Sequence, residues 1–372
     1  MDALNPVSQA TGLASLLRMP KWIFLQLIES CNLRCRMCYE WGETGTYKEK
    51  PELKQLDLDV VRRIIEDCKD SKPHYDLFGG EPLLYPHIES VLTMLRENGS
   101  TVAFPTNGTL LKRHAAMLVR TQPYQIWVSL DGPEEINDAQ RGKGVYRKAL
   151  EGIDEVLRLR EEAGSEYPKI GITCTVTPLN YHRIESFFFD MISARKLDAM
   201  SFELQSYLTE EDHANYVHVL QEHFDTDAAP FSRGFVRGLA DFEQMDLAEL
   251  NRQLEAIRAY SREHQFFLNL NPKDFNLEKL DDYFHARWDR ITAHKKRCPQ
   301  PWTTTEINAK GDVTTCHAHY DLTLGNVNEE SIQSIWNGPK YKQFRNYLKK
   351  NLFPICTACC LYYQDNTLVE KG

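Results

Sequence analysis

WIFLQLIESCNLRCRMCYEW, residues 22–41, runs a short apolar segment straight into three cysteines, Cys31, Cys35 and Cys38. Trp22 to Ile28 is too short for an ordinary helix and mixes β-branched with aromatic side chains, so it predicts a buried strand. Loops at the ends of such strands are where α/β proteins carry their reactive groups. Thiolates are the ligands of zinc and of iron–sulfur clusters, and the number of ligands separates the two uses. A structural zinc site closes with four, usually as two close pairs. Three thiols on one loop hold three corners of a cubane and leave the fourth iron open, and no fourth cysteine occurs before Cys68. A zinc site and coincidental thiols remain alternatives on spacing alone.

Downstream the pattern of that first segment recurs. Tyr75 to Phe78, Thr101 to Phe104, Gln125 to Leu130, Ile170 to Val176 and Met200 to Leu204 predict five further strands. Amphipathic runs separate them. One sets Val61, Ile64, Ile65 and Cys68 at helical spacing behind a cap at Asp57 or Asp59; others align Ile88, Val91, Leu92 and Leu95, then Leu150, Ile153, Val156 and Leu157. Six strand–helix repeats imply an α/β fold with a parallel sheet and right-handed crossovers. Periodicity alone leaves a barrel, an open barrel and a doubly wound sheet all possible. Residues 207–295 read mostly as helices, a cap or linker, and from Cys298 a β-hairpin is expected, Thr304 to Ile307 facing Val313 to Cys316 across an AKGD turn.

With 372 residues the chain has ample material for a core, so its ten cysteines are not needed as disulfide staples. The balance of 44 basic against 53 acidic side chains, without a polybasic run, argues against a nucleic-acid partner. The N-terminus lacks a cationic region followed by an apolar stretch of signal-peptide length, and no window reaches the ~20 apolar residues of a membrane span. The expectation is a cytoplasmic protein without membrane partners, whose clustered thiols serve metal or redox chemistry.

Other polar residues fall after the predicted strands, on the same rim as the thiols. LFGGEPLL follows the second strand with Gly79, Gly80 and Glu81. Glycines there let the backbone approach closely, and a carboxylate accepts hydrogen bonds from a cationic amine. Asn107 follows the third strand; Ser129 and Asp131 end the fourth, with Arg141 beyond, a guanidinium suited to a carboxylate. The C-x3-C-x2-C spacing, the GGE triplet and the SLDG…RG run together resemble the radical S-adenosylmethionine (SAM) superfamily. The resemblance implies a partial (β/α)6 TIM-like barrel over residues 18–206, after an extension over 1–17. It implies a 4Fe–4S cluster on Cys31, Cys35 and Cys38, with SAM contacted by Gly79, Gly80, Glu81, Asn107, Ser129, Asp131 and Arg141. Reductive cleavage of SAM would then give a 5'-deoxyadenosyl radical that abstracts hydrogen from a substrate.

Four more thiols, Cys298, Cys316, Cys356 and Cys359, come from two chain segments and could close a second site. With the hairpin and following helices, residues 296–372 resemble a small α+β twitch domain, the shortened SPASM type, implying one auxiliary 4Fe–4S cluster that accepts an electron from the substrate. Cys360 could replace Cys359. A zinc knuckle using His317 or His319, and a redox dithiol at Cys356 and Cys359, are the alternatives. Cys68 and Cys174 read as core. The expected activity is that of a radical SAM oxidoreductase with a flavodoxin- or ferredoxin-type electron donor. A small polar metabolite, a sugar or aminocyclitol, is the first expectation for the substrate, because few residues precede the first strand. A peptide or protein maturase is the second, and a non-catalytic iron–sulfur or zinc scaffold the third. Tyr39, Glu40, Trp41, Glu203 and Gln205 could face the substrate, with packing as the default role for each.

Overall fold

The computed structural model describes residues 19–273, 276–292, 298–359 and 362. The extension expected over 1–17, Cys360 and the tail after 362 lie outside the described residues. All six strands read from the sequence are present: β1 (Trp22–Ile28), β2 (His74–Gly79), β3 (Val102–Thr106), β4 (Gln125–Ser129), β5 (Lys169–Val176) and β6 (Ala199–Leu204). They pair in that order, all parallel. Helices form the crossovers where the apolar spacing predicts them. The helix Leu58–Asp67 starts at Asp57, whose side chain accepts the N–H of Asp59, and it buries Val60, Val61, Ile64 and Ile65. Cys68 closes it and is wholly buried.

The two faces of this sheet differ. Ile23, Leu25, Leu27, Tyr75, Leu77, Ile126 and Val128 are fully covered by the helices. Their neighbours Trp22, Phe24, His74, Asp76, Phe78, Trp127 and Ser129 point to the opposite face and stay half-buried. A parallel sheet covered on both sides would read as unbroken apolar runs. The alternation here marks a concave face left open to solvent, the interior of the partial barrel.

The stretch 207–295 contains the expected helices, among them Glu210–Phe224 and Leu247–His264, but it also adds a strand. Phe267–Asn271 forms β7 and continues the sheet parallel to β6, with Ala199 opposite Phe267 and Glu203 opposite Asn271. Five residues including two asparagines carry little strand signal of their own, and pairing with β6 decides the conformation.

The hairpin at the C-terminal end comprises β8 (Thr304–Ile307) and β9 (Asp312–Thr314), antiparallel as expected, with β10 (Gly325–Asn326) beyond. Gly311 closes its turn at φ +87°, where a Cβ would meet the Asn328 side chain at 2.4 Å. The hairpin does not stand apart. β8 lies parallel to β1, Trp22 opposite Thr304 through Leu25 opposite Ile307, so one sheet runs β10-β9-β8-β1-β2-β3-β4-β5-β6-β7. The hairpin that precedes Cys316 therefore lies beside β1, the strand that leads into the first thiol loop. Among the described residues no helix is long and apolar enough to cross a membrane.

Candidate active site

The loop leaving β1 carries Cys31, Cys35 and Cys38, all half-buried. Backbone N–H groups already point at two sulfurs: Leu33 donates to Cys31 Sγ at 3.4 Å and Trp41 to Cys38 Sγ at 3.3 Å. Gly42 seals the turn, for a Cβ there would meet the Cys38 carbonyl at 2.4 Å. Burial pushes the Cys31 thiol up to about 12 and the Cys38 thiol up to about 11, and raises Cys35 too, where Arg141 opposes the shift. Cys31 feels charge on Cys35 and Cys38, and Cys38 feels charge on Cys35, so the three sulfurs are neighbours. Three thiols needing a cation to ionise, with N–H donors on sulfur, are a donor set that fits an iron–sulfur cluster.

Gly79 and Gly80 let the next loop lie against this one. A Cβ on Gly79, whose φ is +144°, would sit 2.1 Å from the Ile28 carbonyl; one on Gly80 would sit 2.2 Å from the Ser30 carbonyl. Gly80 and Glu81 donate their N–H groups to Ile28 and Ser30, both at 2.9 Å. The Glu81 side chain turns inward and is 1% exposed. Its carboxylate accepts from Thr106 Oγ1 at 2.7 Å, Asn107 N at 2.8 Å and Leu83 N at 3.1 Å, which ties the loops after β2 and β3 together. Asn107 extends the tie by donating from Nδ2 to Asn32 Oδ1, inside the cysteine loop, at 2.8 Å.

Ser129 ends β4 on the open face. Asp131 was expected on the rim beside it and is instead fully buried. It accepts from Arg141 Nε at 2.5 Å and Nη2 at 2.9 Å, from Gln140 Nε2 at 2.6 Å and from Thr175 N at 2.9 Å. Four donors leave this carboxylate no room for a ligand. Its effect is to aim Arg141, whose positive charge opposes the rise at the Cys35 thiol. The residues after β2, β3 and β4 thus meet the cysteine loop as a connected frame.

Cys298, Cys316, Cys356 and Cys359 come together at the other flank of β1. Burial raises the Cys316 thiol well above its usual value, and Cys359, Cys356 and Cys298 add to the rise. The Nε2 of His319 lies 3.7 Å from Cys356 Sγ, while its Nδ1 meets the Tyr216 hydroxyl at 2.9 Å. Burial pushes His319 down to about 3, so it is neutral. His317 is stacked on Tyr39. Among the described residues no three His, Cys, Asp or Glu side chains are drawn in around a single metal ion. Cys174, read as core, is wholly buried.

A group of acids beside these sites went unnoticed in the sequence, except for Glu40. Burial pushes Glu40 and Glu306 each up to about 8; Gln26 donates to Glu40 at 2.9 Å and the Tyr320 hydroxyl to Glu306 at 2.6 Å. Glu306 shares a row with Phe24 and Asp76 across β8, β1 and β2. Its only sequence signal is a carboxylate inside a short predicted strand of the hairpin. Trp41 is buried, its Nε1 donating to the Glu29 carbonyl at 2.8 Å. Gln205 is buried as well, its carbonyl accepting from the Tyr283 hydroxyl. Glu203 stays half-buried on the open face, taking hydrogen bonds from Ser201, Thr173 and Asn271.

Comparison with known proteins agrees with this arrangement. Residues 25–191 match the model of the radical SAM superfamily, and residues 298–360 match SPASM, an iron–sulfur cluster-binding domain. A Pyrococcus furiosus protein named tungsten-containing aldehyde ferredoxin oxidoreductase cofactor-modifying protein is 24% identical over 355 residues, 92% of this chain and 87% of that one. The serine-type anaerobic sulfatase-maturating enzyme of Bacteroides thetaiotaomicron is 29% identical over 138 residues, 33% of each chain. Streptococcus suis SuiB, solved bound to its precursor peptide SuiA, superposes with a TM-score of 0.61 at 20% identity, covering 93% of this chain and 71% of that one. The cofactors that follow are a 4Fe–4S cluster with SAM in the core and iron–sulfur binding at the C-terminal domain. Thiol loop, partial barrel and second thiol site place the chain in the radical SAM superfamily, with a SPASM-type domain behind its core.

Proposed function

We propose that this chain is a maturase that modifies a peptide or protein by radical chemistry begun at the Cys31, Cys35 and Cys38 loop. The loop carries the reading: three neighbouring thiols on one turn, with Arg141, fixed by Asp131, setting its charge beside Cys35. Bound there, a 4Fe–4S cluster with SAM supplies a 5'-deoxyadenosyl radical able to take hydrogen from an unactivated carbon. Gly79, Gly80, Glu81, Asn107, Ser129, Asp131 and Arg141 would frame the SAM site in different ways. The glycines bring two loops into contact, Glu81 and Asp131 fix neighbouring groups, and Ser129 presents its hydroxyl to the open face. That face, from Asp76 through Trp127 to Glu203, would receive the substrate. Cys298, Cys316, Cys356 and Cys359 would hold one auxiliary cluster, since four thiols are too few for two. A net oxidation, with electrons from a flavodoxin- or ferredoxin-type donor, completes the reading.

The relatives favour a peptide or protein over the sugar or aminocyclitol expected at first: one similar chain is named for sulfatase maturation, and SuiB is bound to a precursor peptide. Two assays test the proposal. Anaerobic reconstitution with iron and sulfide, a reductant and SAM should release 5'-deoxyadenosine, and Cys35→Ala should not. Co-expression with peptides encoded beside the gene, read by mass spectrometry, should give a mass change that Cys35→Ala abolishes; a mass change on a sugar alone would overturn the maturase reading.

A further inference from the structure

A single short segment, residues 231–237, touches both thiol sites. On the C-terminal side Asp321, in the turn that follows Cys316, accepts the N–H of Phe231 at 2.7 Å and that of Ser232 at 2.8 Å. That turn is itself tied to the cysteine, for His319 N donates to the Cys316 carbonyl and Leu322 N to the His319 carbonyl, both at 2.9 Å. On the N-terminal side the segment grips the loop that holds Cys38. Arg237 donates to the Met37 carbonyl at 3.3 Å and to Thr44 Oγ1 at 2.8 Å, and Thr46 Oγ1 donates to the Phe231 carbonyl at 3.1 Å. Gly234 approaches so closely that a Cβ would lie 2.2 Å from the Tyr39 carbonyl.

Between these anchors the rings are stacked. Tyr39, next in sequence to Cys38, lies on Phe235 with centroids 4.3 Å apart and planes 12° apart, and on His317 at 5.8 Å and 9°. His317 is next in sequence to Cys316. Phe231 packs on Tyr320 at 4.6 Å. Neither end can shift without sliding close-packed rings and breaking the Asp321 hydrogen bonds.

We propose that this segment couples the two thiol sites: filling the C-terminal site fixes Asp321 and His317, and through them the Cys38 end of the N-terminal loop. Tyr39, Phe235 and Asp321 are then positioning residues for the N-terminal cluster, although Phe235 and Asp321 lie outside the loop that carries it. The inference rests on the cysteine assignment above. Coupling of this kind is reciprocal, so SAM at the N-terminal site must also be felt at the C-terminal one.

The test uses the full-length protein, reconstituted and reduced, with the electron paramagnetic resonance component that responds to added SAM as the reporter of the N-terminal cluster. Phe235→Leu and Asp321→Asn should each shift that component while iron content is kept. Cys356→Ala, which empties the C-terminal site, should shift it in the same sense, and adding Phe235→Leu to Cys356→Ala should change little more. A component identical to wild type in both Phe235→Leu and Asp321→Asn, or shifts that simply add in the double variant, would overturn the coupling. No SAM-responsive component in the wild-type protein would instead remove the cysteine assignment, and the coupling with it.

Discussion

Asp131 holds Arg141 through two of its donors, Nε at 2.5 Å and Nη2 at 2.9 Å, and neither partner is open to solvent. The guanidinium, thus fixed, opposes with its charge the burial that raises the Cys35 thiol. Asp131 acts one step removed from the reacting groups.

Asp131→Ala should therefore behave as a broken buried ion pair. It leaves Arg141 charged and unpaired, a loss of about 3–5 kcal/mol. Denaturant unfolding of the metal-free protein should register that loss, and 5'-deoxyadenosine release should fall with it. Unchanged unfolding would mean that Arg141 finds another partner and that the frame is not built as described.

Gly80→Ala tests how the first two loops meet. Its new methyl would press on the Ser30 carbonyl at 2.2 Å, inside the cysteine loop, and overpacking of this kind costs about 1–3 kcal/mol. The expected result is less iron bound per chain after reconstitution. Gly164→Asn serves as the control, because that glycine has φ +57°, which asparagine tolerates, and nothing within 4 Å of a Cβ.

Glu306 makes stability depend on pH. Burial pushes its carboxyl up from 4.5 to about 8, with charge on Glu40 and Asp76 adding and the Tyr320 hydroxyl opposing. The folded protein holds a proton that the unfolded chain releases above pH 4.5, so this contribution is full below 4.5 and is lost as pH rises towards 8. Glu306→Gln keeps an acceptor for Tyr320 without the titration. The variant should be the more stable at about pH 8.5, by at least the ~1.4 kcal/mol of one pK unit, and the gap should shrink at about pH 6. Parallel melting curves for the two proteins at all pH values would remove Glu306 as the cause.

The elements legible in the sequence were those set by local pattern. β1 to β6 announce themselves because each buries one face under helices, and the thiol triplet because its spacing fits one loop. What stayed hidden depends on contacts between distant segments. Phe267–Asn271 becomes a strand only beside β6, and Thr304–Ile307 joins the core sheet only because β1 offers a free edge. Glu81 and Asp131 looked like rim ligands since both follow strands. Neighbouring backbone N–H groups, and for Asp131 the Arg141 side chain, claim their oxygens first, and no local pattern reveals such competition. The stack of Tyr39 on His317 is beyond sequence reading for the same reason: nothing near either residue points to the other.

The thiols should sort into three groups by what their removal does. Cys31→Ala, Cys35→Ala or Cys38→Ala should abolish 5'-deoxyadenosine release, because two thiols cannot hold three corners of a cubane. Cys298→Ala or Cys316→Ala should lower bound iron by about four per chain, one cluster's worth, and stop product formation while some 5'-deoxyadenosine is still released. Cys68→Ala and Cys174→Ala should leave iron and activity intact and cost only packing, about 1–2 kcal/mol, since both thiols are fully buried and belong to neither thiol cluster. The decisive comparison is Cys35→Ala with Cys174→Ala, because both sulfurs feel the same pair, Asp131 and Arg141. Proximity to that pair is then matched, and only membership of the loop differs. Equal loss of iron in the two variants would mean that the frame around Arg141, and not the thiol triplet, governs metal binding.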